Sequence, residues 1–399
     1  MIGLSLLVAC VAVVLLVPTV SDLLSVVRIA LSAGPRPLAR RAHPPPRLLF
    51  IVPAHNEELL IGTCLRSFKH LRYPADCFSI VVIADNCSDR TVELVEQTGV
   101  QCLRRNDRAQ PGKPRAIAWA LAQLPLIDYA AVVIVDADTT VDPDFAMHLA
   151  LAGPLEDKAV QAFHGVRNPA ETSLTRMGAV LAAATHRFAY PLKQRAGLNV
   201  PLGGNGMAIG THVLTRFGWR AFSICEDWEM YAQLTEEGVP IEGVPAAIVY
   251  GQEARSLRQS SSQRQRWTAG KVTVLMRLGP RILTSGRIGI HQKLDALGEL
   301  AALGPVLHFA LVLLVAGLAL AGGLSHARLL TLALGASLLR PITYGAAGLA
   351  VQPEPWSAVA SFTFLPVYAA WRLGTAMRAL RLVGDKPWVR TQRHPPQST

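Results

Sequence analysis

Residues 300–327 form a run of 28 without an aspartate, glutamate, lysine or arginine, although two histidines fall within it. One helical crossing of a bilayer needs about 20 consecutive apolar residues. This run therefore predicts a membrane-spanning segment. Residues 1–21 are a second run without a charged side chain. A cleaved signal peptide would carry basic residues before its apolar run and a small-residue cleavage site after it. Here the basic residues follow: Arg28, Arg36, Arg40, Arg41 and Arg47, with no acid between Asp22 and Glu57. That order predicts a retained anchor, its N-terminus outside and the next domain cytoplasmic. Residues 329–350 are apolar but interrupted by Arg340-Pro341, and residues 355–371 form a shorter third run. The C-terminal quarter is thus expected to hold two or three passes. A cytoplasmic basic tail needs an even number of them. Three runs then fit only if one is re-entrant or interfacial; the Arg340-Pro341 break makes 329–350 a candidate, and the sequence leaves the choice open.

Charge placement supports a membrane reading. The chain has 39 Lys+Arg against 28 Asp+Glu, a net +11. Residues 254–294 hold nine basic residues and no acid, and residues 372–399 hold six with one acid. With the five near the N-terminus these stretches carry +19, leaving −8 for the rest. Positive charge beside spans meets anionic lipid. A nucleic-acid footprint needs a basic stripe over a folded face with aromatics or a known module; neither is visible, so no nucleic-acid partner is expected. A charged fraction of 17% lies below the roughly 25% of soluble domains, and 51% hydrophobic residues exclude a disordered chain. The six cysteines show no CxxC pair or zinc-like spacing, which predicts reduced, structural thiols.

Between the apolar ends, short buried-type strands alternate with helical patterns. Residues 48–53, 79–84, 100–103 and 131–135 read as strands, and Leu60, Ile61, Cys64, Leu65 and Phe68 as one helix face. Pro114 suits a first helical turn. Continuously apolar strands separated by helices predict a parallel sheet covered on both faces, with ligands at the carboxyl ends of the strands. Polar signatures stand at those ends. Asp136 and Asp138, two apart, would share a face in extended geometry and make a hard-oxygen site for Mg²⁺ or Mn²⁺; the alternative is a turn. Asp85 can accept from a base N–H or serve as a turn residue. Lys113 can reach a phosphate, but its surroundings are not a P-loop. Glu226-Asp227 offers a general base or an N-cap. In the Gln263-Arg264-Gln265-Arg266-Trp267 stretch, Gln263 shares a helix face with Arg266 and Trp267. That suits diphosphate binding and sugar stacking, or an interfacial helix with a Trp anchor. Gly203-Gly204-Asn205-Gly206 is a permissive loop that admits a substrate or simply turns.

The order Pro53-Ala54-His55-Asn56-Glu57, Asp85, Asp136-x-Asp138, Glu226-Asp227, Gln263-x-x-Arg266-Trp267 resembles the D, DxD, ED, QxxRW series of the membrane-bound family 2 glycosyltransferases. Cellulose, hyaluronan, chitin and poly-N-acetylglucosamine synthases belong to that family. The resemblance implies an α/β GT-A fold, Rossmann-like with a mostly parallel sheet, between N- and C-terminal transmembrane helices. It implies inverting transfer from a nucleotide-sugar, usually a UDP-sugar. By motif, Ala54, His55 and Glu57 would line the nucleoside pocket and Asp85 would contact the base. Lys113 would lie near the phosphates, and Asp136 and Asp138 would hold the nucleotide and its metal, Mg²⁺ or Mn²⁺. Asp227 would be the general base, with Glu226, Gln263, Arg266 and Trp267 around the diphosphate and acceptor.

The expected organisation is an anchor (1–27), a basic Pro-rich linker (28–46), a catalytic domain (47–275), basic interfacial helices (276–298), a C-terminal transmembrane region (299–373) and a basic tail (374–399). The expected setting is the cell inner membrane, with the catalytic domain cytoplasmic and membrane lipids around it. The leading expectation is elongation of a β-linked poly- or oligosaccharide, with any export partner unassigned. The alternatives are one sugar added to a lipid acceptor, in the manner of ceramide glucosyltransferases, and an inactive nucleotide-binding membrane module.

Overall fold

The computed structural model describes residues 2–32, 44–302, 304–323 and 326–384. Most of the expected 28–46 linker, with Arg36, Arg40 and Arg41, and the basic tail beyond Gly384 lie outside the described residues.

The described residues hold one eight-stranded sheet: β1 (Leu48–Ala54), β2 (Phe78–Asp85), β3 (Gln101–Arg105), β4 (Ala131–Ile134), β5 (Thr140–Val141), β6 (Ala159–Val166), β7 (Met207–Gly210) and β8 (Ile241–Gly251). Their spatial order is β3-β2-β1-β4-β7-β6-β8-β5. The first four run parallel, as their uniform Val/Ile/Leu content predicts. Each strand sends alternate residues to opposite faces. Leu49, Ile51, Val81 and Ile83 enter one core, while Leu48, Phe50, Val52 and Val82 enter the other. Helix Ile61–Phe68 buries Ile61, Cys64, Leu65 and Phe68, the face read from the sequence.

Beyond β4 the expected mostly parallel sheet becomes mixed. β7 is antiparallel to both β4 and β6, β8 is parallel to β6, and β5 is antiparallel to β8. The reason is local. β7 is buried at all four positions, and a uniformly apolar strand carries no signal of direction. Its entry is set by Gly206, whose φ of +66° suits glycine and whose N–H donates to Ile134 O at 2.9 Å.

Among the described residues two helices are long and apolar enough to cross a membrane, Ser5–Leu31 and Ala327–Ala350. The second includes the Arg340-Pro341 site expected to break it. Pro341 falls in the first turn of a helical segment, Leu339–Ala350, where a missing N–H is tolerated. The 300–327 run is instead broken: Ile290–Ala301 and Pro305–Ala321 meet at an 83° bend and would make a third span only if taken as one. Gly304, with φ +92°, and Pro305 explain the bend. Residues 355–371 also divide, into Pro355–Ser361, a 3₁₀ turn at Phe362–Phe364 and Leu365–Ala379. Val8, Ala12 and Leu15 of the first helix pack on Val312, Val315, Ala319 and Leu334, so these helices close on their own apolar core.

A buried polar cluster joins them to the α/β unit. Arg340 Nε lies 3.0 Å from Asp22 and its other nitrogen pairs with Glu299. Lys193 Nζ pairs with Asp295 and, at 3.1 Å, with Glu299. Ser21 Oγ donates to Asp295 at 2.8 Å. The acid-free 254–294 stretch also finds acids elsewhere in the fold. Arg255, Arg264, Arg277, Arg281 and Arg287 pair with Glu171, Glu253, Glu229, Glu236 and Glu237. Part of its charge is thus met by protein.

Candidate active site

Lys113 gathers the site. It opens helix Lys113–Leu121 after Gly112, whose φ of +113° needs glycine. Its Nζ donates to Asp136 Oδ1 at 2.7 Å and Gly204 O at 2.9 Å, and lies 3.2 Å from Glu226 Oε1. Burial alone would lower its pKa, but Asp136 and Glu226 outweigh that and raise it, so the ammonium stays charged. Gly204 accommodates Asp227 closely: a Cβ there would stand 3.2 Å from Asp227 Oδ2. Asp227 lies in the first turn of helix Glu226–Glu236, where its Oδ1 accepts from Trp228 N at 2.8 Å. Burial, then the Glu226 charge, push its pKa up to about 7. A carboxylate poised near neutrality is suited to take a proton.

Asp136 and Asp138 sit in a turn, with Thr139 N donating to Asp136 O at 3.0 Å. The extended i, i+2 geometry expected from the sequence is therefore replaced by a turn with Ala137 buried between the two acids. Both carboxylates still act electrostatically on the same thiol, Cys64. Asn205 steadies the turn: its Oδ1 accepts from Asp136 N at 3.2 Å and its Nδ2 donates to Thr139 Oγ1 at 2.8 Å. Among the described residues no group of three or more His, Cys, Asp or Glu forms a metal cage. Asp136 and Asp138, two hard carboxylates, would suit a Mg²⁺ or Mn²⁺ ion.

At the carboxyl end of β2, Asp85 is buried and engaged. Its Oδ1 accepts from Arg105 Nη1 at 2.6 Å and Asn86 Nδ2 at 3.0 Å, and its Oδ2 accepts from Gly112 N at 3.1 Å. The expected base contact thus also ties the ends of β2 and β3 to the Lys113 loop. His55 Nδ1 lies 2.7 Å from Asp85 O. Glu57 N donates to Thr91 Oγ1 at 2.7 Å, and Ala54 closes β1 in the core. A cleft of about 330 Å³ lined by Asn86, Cys87, Asn106 and Arg108 opens beside them.

Gln263, Arg266 and Trp267 share helix Leu257–Thr284, capped by Ser256 Oγ accepting from Gln259 N at 3.2 Å. Trp267 is 40% exposed. Arg264, bound to Glu253 at 2.9 Å, stands 4.9 Å over its ring. Cys225, just before Glu226, lies against the carbonyls of Arg266 and Trp267 with Sγ at 3.8 Å from each. A Cβ at Gly270 would stand 2.7 Å from Cys225 Cβ and nearer still to its Sγ. The close approach at Gly270 joins the Glu226-Asp227 turn to the Gln263–Trp267 helix. The sequence offers Asn205 only as part of a permissive loop and Arg264 only inside its motif, and it gives no site signal for Arg105, Cys225 or Gly270; the partners of these five lie 3 to 69 residues away.

This chain is similar to known proteins. The family model described as "Glycosyltransferase like family 2" matches residues 45–270. A "Probable glycosyltransferase YdaM" of Bacillus subtilis is 27% identical over 58% of this chain and 57% of its own length. A "Beta-monoglucosyldiacylglycerol synthase" of Trichormus variabilis is 26% identical over 56% and 49%. A "Glucomannan 4-beta-mannosyltransferase 1" of Cyamopsis tetragonoloba is 25% identical over 62% and 49%. The chain spans about half the length of these curated relatives. Among solved structures, the "Mannosyltransferase PcManGT from Pyrobaculum calidifontis in complex with GDP-Man and Mn2+" aligns with TM-score 0.55 at 19% identity, over 94% of this chain and 97% of that one, a likeness of fold. Since the family model spans more than half of the chain, the protein belongs to the glycosyltransferase-like family 2.

Proposed function

We propose that this protein transfers one sugar from a UDP-sugar to a lipid acceptor at the cytoplasmic face of a membrane, with inversion. The observation that carries the transfer chemistry is Asp227, a half-buried carboxylate whose pKa is pushed up to about 7. It stands across Gly204 from a lysine that binds Asp136 and Glu226. In one displacement the acceptor oxygen forms a bond to the anomeric carbon as the bond to the diphosphate breaks. Asp227 takes the acceptor hydroxyl proton. Lys113 and Arg266 hold the charge that develops on the diphosphate, so no protein acid is required there. Asp136 and Asp138 would hold Mg²⁺ or Mn²⁺, which when bound adds electrostatic stabilisation of the leaving diphosphate. Gln263 and Trp267 bind the acceptor side.

The lipid acceptor is supported by helices Ser5–Leu31 and Ala327–Ala350, long and apolar enough to set the site beside a bilayer. It is supported as well by relatives named for glucosyldiacylglycerol synthesis. Polymer elongation is the second reading, favoured by the glucomannan mannosyltransferase relative. Incubation with UDP-glucose and diacylglycerol vesicles, followed by sizing of the product, separates them: a ladder of lengthening saccharides refutes single addition. Asp227→Asn is expected to keep nucleotide binding and lose turnover by at least about 100-fold. Near-normal turnover removes Asp227 as the base.

A further inference from the structure

Lys271 lies five residues beyond Arg266 on the Leu257–Thr284 helix and is 8% exposed. Its Nζ donates to Ala302 O, at the end of helix Ile290–Ala301 where the chain bends toward Pro305–Ala321. The same ammonium stands 3.7 Å from the ring centroid of Trp228, the residue after Asp227. One buried cation thus touches the helix of the diphosphate-binding residues, the helix of the candidate base and the membrane-side bend. Burying an ammonium is unfavourable, and an apolar side chain of similar length would fill the space with less desolvation. The position of the charge, stacked on an indole, is what an apolar residue would not reproduce.

We propose that Lys271 is a positioning residue: its ammonium clamps the Trp228 ring and so fixes Asp227 toward the acceptor, with the backbone at the Ala302 bend as its support. The inference rests on Asp227 being the base. Around Lys271 stand Glu299 of helix Ile290–Ala301, Arg340 of helix Leu339–Ala350, and Cys225 and Asp227 of the base-bearing turn. Asp227 is faced in addition by Glu226 and by Lys113 from its own helix. Burial pulls the Lys271 pKa down to about 8, against the Glu299 charge. It therefore remains mostly protonated where Asp227 titrates. A positive neighbour favours the ionised carboxylate, so its removal raises the Asp227 pKa.

The test uses the full-length protein in detergent with UDP-glucose and diacylglycerol vesicles. Lys271→Met is expected to lower kcat by about tenfold or more with KM for UDP-glucose within about twofold. It should also move the acid limb of the pH–rate profile upward by about half a unit. Lys271→Arg keeps the cation and is expected to hold the limb in place. Trp228→Leu, which removes the clamped ring, is expected to repeat the fall in kcat. The clamp itself is read without turnover, from the ¹⁹F signal of 5-fluorotryptophan at position 228, identified with Trp228→Phe. That signal should titrate near pH 8 in the parent protein and be flat in Lys271→Met. A Lys271→Met protein with parental kcat and an unmoved limb overturns the proposal, as does a ¹⁹F signal that ignores Lys271. If the parent releases no UDP, the transfer reading falls and the ¹⁹F titration alone judges the clamp.

Discussion

Gly270→Ala tests the contact between the turn that carries the proposed base and the helix proposed to bind the diphosphate. In an open helix this change would stabilise by about 1 kcal/mol. Here the added methyl would stand 2.7 Å from Cys225 Cβ and 3.2 Å from Ile224 Cγ2, whereas carbon atoms pack at about 3.5–4.0 Å. The Leu257–Thr284 helix and the Cys225 turn must then separate by about 1 Å. Overpacking of this kind costs about 1–3 kcal/mol, so helix propensity offsets part of it and leaves a net loss of about 0–2 kcal/mol. The functional loss should be larger. Asp227 is two residues from Cys225, and Arg266 and Trp267 lie within one turn of Gly270. A 1 Å misplacement of reacting groups reduces turnover by about 100-fold. The assay is UDP release in parallel with thermal unfolding in detergent. Expected are a midpoint lowered by no more than a few degrees and turnover lowered by about two orders of magnitude. The paired change Cys225→Gly with Gly270→Ala reopens the gap and should recover most of the turnover. Parental turnover in Gly270→Ala alone would refute the idea that this contact sets the site.

The base must be ionised to act, so activity should fall on the acid side of the Asp227 pKa of about 7, by about tenfold per pH unit once well below it. A profile flat down to pH 5 contradicts Asp227 as the titrating group. Arg105→Leu leaves the Asp85 carboxylate buried beside an apolar side chain and is expected to destabilise by about 3–5 kcal/mol. Arg105→Leu with Asp85→Leu should recover much of that, and unfolding midpoints of the two variants check the order.

What the sequence revealed followed from locality. β1, β2 and β4 were readable because Val/Ile runs end abruptly in polar residues. Helix Ile61–Phe68 was readable because four buried residues recur at helical spacing. The direction of β7 was not, since its two faces are equally apolar and Gly206 sets its path from outside the strand. The motif order brings Asp136, Glu226 and Asp227 to notice, and the fold places them around the ammonium of Lys113, which lies outside that order. The partners that hold them come from afar: Arg105 for Asp85, Cys225 for Trp267 and Asn205 for Asp136. No window along the chain contains such pairs. The apolar runs misled for a related reason. Composition ranked 300–327 above 329–350, but Gly304-Pro305 bends the first, while Arg340 is accommodated because Asp22 and Glu299 receive it.

That last pairing has a consequence for biogenesis. Asp22 belongs to helix Ser5–Leu31 and Arg340 is made 318 residues later, about 15–60 s at ordinary translation rates. Through that interval Asp22 waits without its guanidinium. Thr19 likewise waits for the carbonyl of Ser337. This helix is therefore made early but seated only late. A nascent chain halted before residue 340 presents quality control with an unmatched acid, although residues 45–270, the span of the family match, have already been synthesised.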